Sequence, residues 1–267
     1  TGEAFALAAE LGALAAGVGS APYRRYGLDF GVLFQLKDDL SDGEAPDGVR
    51  ELAERLEKLP ISDVFVSPMG RAQHTAQPYL ELTGKSAQTL DWLHEFRGRV
   101  WDEEKQKNRC AWNMKPRFWN EHPEMFDKDR WLENELMSSG NVEEVWNETI
   151  KEFDAILEGY GYKKDGFFYR TEQSPDATIA FFCHFGLGMA LISHLSGVAL
   201  PMLWQSFFMP ASSVTTMVTE ERVKGEVFFK CMQMGDTSHL YANDEPVSKK
   251  GLAKEFYESK EDAVLPK

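Results

Sequence analysis

The chain has 267 residues, 43% of them hydrophobic, with 29 lysines and arginines against 43 aspartates and glutamates for a formal net charge of −14. That length can bury a full core as one large domain or two modest ones. The charge excludes nucleic acid and anionic membrane surfaces as natural partners, because both would repel the chain at long range. An anionic small molecule stays compatible if a local cationic pocket is built against the global field, so arginines at strand ends are the residues to examine.

Three cysteines, Cys110, Cys183 and Cys231, are widely spaced and show no metal-like pairing. This usage fits a reducing compartment and predicts a cytoplasmic location. The Ala-rich opening carries acids and no basic leading segment, so it does not read as a signal peptide. No apolar run reaches membrane length.

In chain order, Glu3 to Ala16 is almost all Ala and Leu, a strong helix former. A second helical pattern over Tyr23 to Leu40 ends in the acidic run Asp38, Asp39, Asp42. Residues Gly43 to Gly48, with two glycines and a proline, read as a junction. Helix and strand patterns then alternate, which predicts an α/β fold with a doubly wound, mostly parallel sheet and flanking helices.

Val49 to Leu59 reads as an amphipathic helix and Asp63 to Ser67 as a short buried strand. Ser67-Pro68 then reads as a helix start, Ser as N-cap and Pro at the first helical position, for a helix running toward Gly84 with a kink at Pro78. Trp101 to Trp131 is dense in aromatics and is most simply an inserted lid with its own small core. An aromatic wall for substrate is the functional alternative. Thr178 to Cys183 is a second buried strand, leading through His184, Gly186 and Gly188 into a helix that stops at Gly197. Ser213 to Thr219 and Glu226 to Met232 form a hairpin pattern. The expected organisation is a helical segment over 1–42, a junction at 43–48, an α/β domain over 49–247 with an insert at about 100–135, and a charged tail over 248–267.

Open parallel sheets bind ligands at the carboxyl ends of their strands, where amides of the following helix point outward. Two such ends carry chemistry. Arg71 lies one turn into a helix whose N-terminus favours anions, and its guanidinium suits bidentate phosphate binding. His184 follows a buried strand, with Gly186 allowing close backbone approach.

Ser67-Pro68-Met69-Gly70-Arg71-Ala72-Gln73-His74-Thr75-Ala76 resembles the second motif of the histidine phosphatase (phosphoglycerate mutase-like) superfamily. Cys183-His184-Phe185-Gly186 resembles that family's histidine-glycine motif, Leu93-His94-Glu95-Phe96 the segment supplying its acid, and Pro210 to Glu220 the strand after the second histidine. The resemblance spans about Val49 to Tyr241. It implies phosphomonoester hydrolysis in two steps through a phosphohistidine, with no cofactor and with a phosphorylated small molecule or phosphate as partner. Arg71 and His184 would clamp phosphate and Glu95 would protonate the leaving group. The family's first motif, Arg-His-Gly, has no counterpart: no Arg-His pair occurs, and His74 is the first histidine of the sequence. The resemblance therefore implies a severely impaired hydrolase, or alternatively a pseudoenzyme that binds phospho-ligands.

The opening differs. Phe34-Gln35-Leu36-Lys37-Asp38-Asp39-Leu40-Ser41-Asp42 resembles the second aspartate-rich motif of all-trans polyprenyl diphosphate synthases. Carboxylates at i and i+4 share one helical face, and the resemblance implies magnesium at Asp38, Asp39 and Asp42. With that family's other motifs lacking, Asp38, Asp39 and Asp42 read first as a solvated helix face, with a magnesium-diphosphate-binding remnant as the functional alternative, and the segment resembles a fusion to the phosphatase-like part.

Overall fold

The computed structural model describes residues 48–252, apart from 104, 113 and 174. The expected helical segment over 1–42 and its aspartates Asp38, Asp39 and Asp42 lie outside the described residues.

Helix α1 (Val49–Glu57) leads into strand β1 (Ile61–Val66), which is followed by α2 (Gly70–Thr83) and the short strand β2 (Gln88–Thr89). Strands β3 (Arg99–Asp102) and β4 (Lys107–Cys110) form a hairpin, then α3 (Pro116–Glu121), α4 (Glu135–Ser138) and the long helix α5 (Val142–Gly159) follow. Strands β5 (Lys163–Asp165), β6 (Phe168–Arg170) and β7 (Thr178–Phe182) precede α6 (Phe185–Ser196) and α7 (Leu200–Ser206). The hairpin β8 (Val214–Val223) and β9 (Glu226–Asp236) and the short α8 (Ser238–Tyr241) are the last elements of the described residues.

The parallel part of the fold is a three-stranded sheet in the order β2-β1-β7. Side chains alternate across it with the period of two that strand geometry imposes. Val64, Val66, Ala180 and Phe182 face α1 and α2 on one side, with Leu52, Leu56, Ala72, Ala76 and Tyr79. Phe65, Ile179 and Phe181 face the opposite way, toward α6 and the middle of the chain. Helices thus cover both faces, as parallel strands buried on both sides require. A separate antiparallel sheet has the order β5-β6-β9-β8. Its β8–β9 hairpin is longer than the sequence pattern, and β5 and β6 have no apolar run to announce them.

Two expectations need correction. The helix after β1 does not start at Ser67-Pro68: its N-cap is Met69 and its first residue Gly70, and it continues through Pro78 to Thr83, where Gly84 closes it at φ 67°. The Ser67 hydroxyl is drawn elsewhere, as described below. Second, the aromatic insert has no core of its own. Val100, Ala111, Met114, Met125 and Trp131 are buried in one cluster with Phe65, Leu187, Met189 and Trp204, so the insert shares the main core. Its aromatics are large enough to reach α6 and α7, and burying them there removes more apolar surface from water than a small independent cluster could.

Candidate active site

The register of two parallel strands brings the site together. Val66 pairs with Phe182, and the Ser67 amide donates to the Phe182 carbonyl at 2.9 Å, so the chain leaves both strands side by side. Ser67 and His184, which are 117 positions apart, therefore meet at the carboxyl ends of β1 and β7. Ser67 Oγ lies 2.7 Å from His184 Nε2, and both residues are buried. Ser67 Oγ also accepts from the Met69 amide at 3.2 Å, and the Gln73 side chain donates to the Ser67 carbonyl at 2.6 Å.

Arg71 is the second residue of α2. Its Nε donates to His184 Nδ1 at 3.1 Å. A guanidinium nitrogen can only donate, so Nδ1 is the acceptor here and the ring proton sits on Nε2, facing Ser67 Oγ. The two residues singled out from sequence as phosphate ligands are thus in direct contact.

Glu95 joins them from a third direction. The Leu90 amide donates to the Val66 carbonyl at 3.0 Å and a 3₁₀ turn over Asp91–Leu93 follows, which places Glu95 beyond the end of β1. Its Oε1 accepts from the Phe96 amide at 2.8 Å and the Leu187 amide at 3.1 Å. The carboxylate therefore sits on the first turn of α6, at the positive end of that helix. Burial raises the Glu95 carboxyl above its ordinary range. The Phe96 and Leu187 amides, the Arg71 charge and the Gly186 amide pull it down without cancelling that effect.

Gly186 is glycine for a local reason. A Cβ there would lie 2.8 Å from Trp112 Cη2 and 2.9 Å from Glu95 Oε1, inside contact distance of both. The close approach read from sequence is thus made by a carboxylate and an indole. The neighbouring Cys183 thiol is pushed up to about 12 by burial and, secondarily, by the Glu95 charge.

The other histidines are anchored elsewhere. His94 Nδ1 lies 2.8 Å from the Glu95 carbonyl. His122 lies 3.2 Å from Glu124, with Asn134 beside both. His194 lies 2.8 Å from Asp154. His239 is buried in α8, 3.1 Å from Arg55. His74 is carried by α2, one turn along from Arg71. Sequence reasoning missed Ser67 as the partner of His184 and Trp112 as the neighbour of Glu95. Neither has a local signal, since each depends on the register of distant elements.

Among the described residues no group of three or more His, Cys, Asp or Glu side chains could hold a metal ion. No described helix is long and apolar enough to cross a membrane.

Residues 45–160 match the model of the histidine phosphatase superfamily (branch 1). Over that segment the chain is similar to that superfamily. Solved structures similar to it include Bacillus stearothermophilus YhfR, at 16% identity and TM-score 0.44, covering 72% of this chain and 82% of that one. An Entamoeba histolytica phosphoserine phosphatase solved with 3-phosphoglyceric acid is similar at 15% identity and TM-score 0.46, with the same coverage, 72% and 82%. A mycobacterial glucosyl-3-phosphoglycerate phosphatase solved with VO3 is similar at 16% identity and TM-score 0.44, covering 71% and 83%. No curated protein matches the chain. The site joins the end of β1 and Arg71 of α2, both inside the matched segment, to the end of β7 outside it.

Proposed function

We propose that this site binds the phosphoryl group of a phosphorylated small molecule through Arg71 and His184, with Glu95 as proton donor to the leaving group. In this reading hydrolysis is severely impaired for want of a nucleophilic histidine. The observation that carries it is the 3.1 Å contact between Arg71 Nε and His184 Nδ1 at the ends of two adjacent parallel strands.

The chemistry follows from charge. A transferring phosphoryl group spreads negative charge over three oxygens and is stabilised by fixed cationic donors. The leaving oxygen needs a proton as its bond to phosphorus breaks, and a buried carboxyl with a raised pKa holds one to higher pH than an exposed carboxyl does. The missing element is the group that attacks phosphorus. Of the six histidines in the sequence, five are tied to other partners or carried along α2, and His184 is already held by Ser67 and Arg71. Loss of a nucleophile costs on the order of a millionfold where catalytic groups act as a unit. A domain of this kind would serve as a phospho-ligand-binding protein. The reading asks for no cofactor at the phosphate site.

The test is thermal stability of the full chain with and without inorganic phosphate, alongside turnover of p-nitrophenyl phosphate. Phosphate should raise the melting temperature of the wild type and leave Arg71→Ala and His184→Ala unmoved, with only trace turnover in all three. No phosphate-dependent shift in the wild type would sink the binding reading. Robust wild-type turnover that vanishes in His184→Ala would overturn the claim of impairment.

A further inference from the structure

The leaving group of a bound phosphomonoester must lie against Glu95, since that carboxyl is to protonate it. What stands beside Glu95 therefore sees the part of the substrate that differs between substrates. The point above Gly186 is shared by Glu95 Oε1 and the rim of the Trp112 indole. Trp112 is half-buried and meets the half-buried Phe185 ring edge-on, with centroids 6.3 Å apart. Its far side rests on Trp204 at 5.4 Å. Met69 completes the surround, its sulfur 3.5 Å from the Glu95 amide.

Trp112 is also held in place. Arg109 donates to the carbonyls of Cys110 and Trp112 at 3.1 and 3.0 Å, and its Nε lies 3.3 Å from Asp102 Oδ2 across the β3–β4 hairpin. The indole is thus fixed by a braced turn before any ligand arrives, which lowers the ordering cost of a contact with it. Charge separates the substrate classes further. Among the described residues, the only cation bearing on Glu95 is Arg71, which the phosphoryl group would occupy. Among the described residues, a leaving group with its own carboxylate finds no second cation beside Glu95, and Arg109 at the Trp112 turn is paired with Asp102. A planar apolar one finds two aromatic rings and a thioether.

We propose that Trp112 is the specificity-determining residue of this site, and that the site takes phosphomonoesters with a planar, apolar leaving group, such as aryl phosphates, in preference to phosphates of small carboxylate-bearing alcohols. This inference rests on the phosphate-binding reading above.

The test is calorimetric titration of the full chain with inorganic phosphate, phenyl phosphate and 3-phosphoglycerate. Phenyl phosphate should bind about tenfold more tightly than phosphate, the scale of an aromatic contact, and 3-phosphoglycerate no more tightly than phosphate. Trp112→Ala should bring phenyl phosphate down to the level of phosphate without changing phosphate affinity, and Trp112→Phe should keep most of the preference. If phosphate binds but phenyl phosphate binds no more tightly in the wild type, the inference fails and the phosphate reading stands. If the alanine variant weakens both ligands equally, Trp112 is only a packing residue and the inference fails too. No binding of phosphate by the wild type would remove both. The wild-type arm needs no variant to fold.

Discussion

The Ser67 hydroxyl and the His184 imidazole meet at 2.7 Å, in a position buried from water, because β1 and β7 pair in parallel with Val66 opposite Phe182. With Arg71 donating to Nδ1, the contact fixes which ring nitrogen of His184 carries its proton. Ser67 is in this sense a positioning residue for a proposed phosphate ligand.

Replacing it exposes that role. Ser67→Ala leaves the Met69 amide and His184 Nε2–H without their acceptor, at a cost of about 1–3 kcal/mol for a buried group left unpaired. Phosphate affinity should fall by roughly tenfold, by analogy with the loss seen when the partner that orients a metal-ligating histidine is removed. Ser67→Thr restores an oxygen and should recover both. Nitrogen NMR of the histidine rings separates orientation from simple destabilisation: the wild type should show His184 as the Nε2–H form and the alanine variant a mixture. An unchanged ring signal in Ser67→Ala would count against the assignment.

Glu95 makes a pH-dependent prediction. Burial raises its carboxyl above the ordinary value of 4.5, so the folded state favours the protonated form. Its contribution to stability is complete below that ordinary value and is lost as pH rises through the higher folded-state value. Glu95→Gln stays neutral throughout and keeps an oxygen for the Phe96 and Leu187 amides. The variant should gain on the wild type as pH rises from 4 toward 8, read as a widening difference in melting temperature. A difference that stays constant over that range would show that the Glu95 carboxyl titrates alike in both states.

Much of the candidate site was legible because its signals are local. A short run of β-branched and aromatic residues ending in Ser67 and another ending in Cys183 marked two buried strands. Arg71 and His184 then follow from the rule that ligands sit at strand ends. Glu95 needed the family resemblance, since nothing in its neighbours marks a buried carboxylate. The Ser67–His184 pair was not legible. It depends on a register set over 117 positions, and local reading assigned Ser67 to a helix cap instead. The insert failed for a related reason: Trp112 and Trp131 look alike in composition, yet one stands beside Glu95 and the other is sealed in the core.

Cysteine chemistry offers an independent check on the depth of the site. The Cys183 thiol is held up near 12 by burial and by the Glu95 charge, whereas Cys231 is exposed on β9. The thiolate is the reactive form, so Cys183 should resist a disulfide reagent at pH 8 in the native protein and react only on unfolding. Cys231 should react first, although its own burial raises its thiol somewhat. In a Cys110→Ser background, which leaves these two thiols, Cys231→Ser should remove the fast phase and Cys183→Ser the slow one. Rapid native-state labelling of Cys183 would place it in an open pocket instead.

The shared core decides how the insert should melt. Trp131 is 2% exposed and packs edge-on against Trp146 of α5 at 5.5 Å and Trp204 of α7 at 6.1 Å. Trp131→Ala removes one of the largest buried side chains, a change that costs about 3–5 kcal/mol in a well-packed core. Because the cluster also includes Phe65, Leu187 and Met189, the loss should fall on the whole domain. Calorimetry should show one cooperative transition at lower temperature, with no early melting of the segment around 100–135. Two transitions, the later one unmoved from wild type, would mean that the insert folds on a core of its own, and the contacts of Trp131 with α5 and α7 would then contribute little to the rest of the fold.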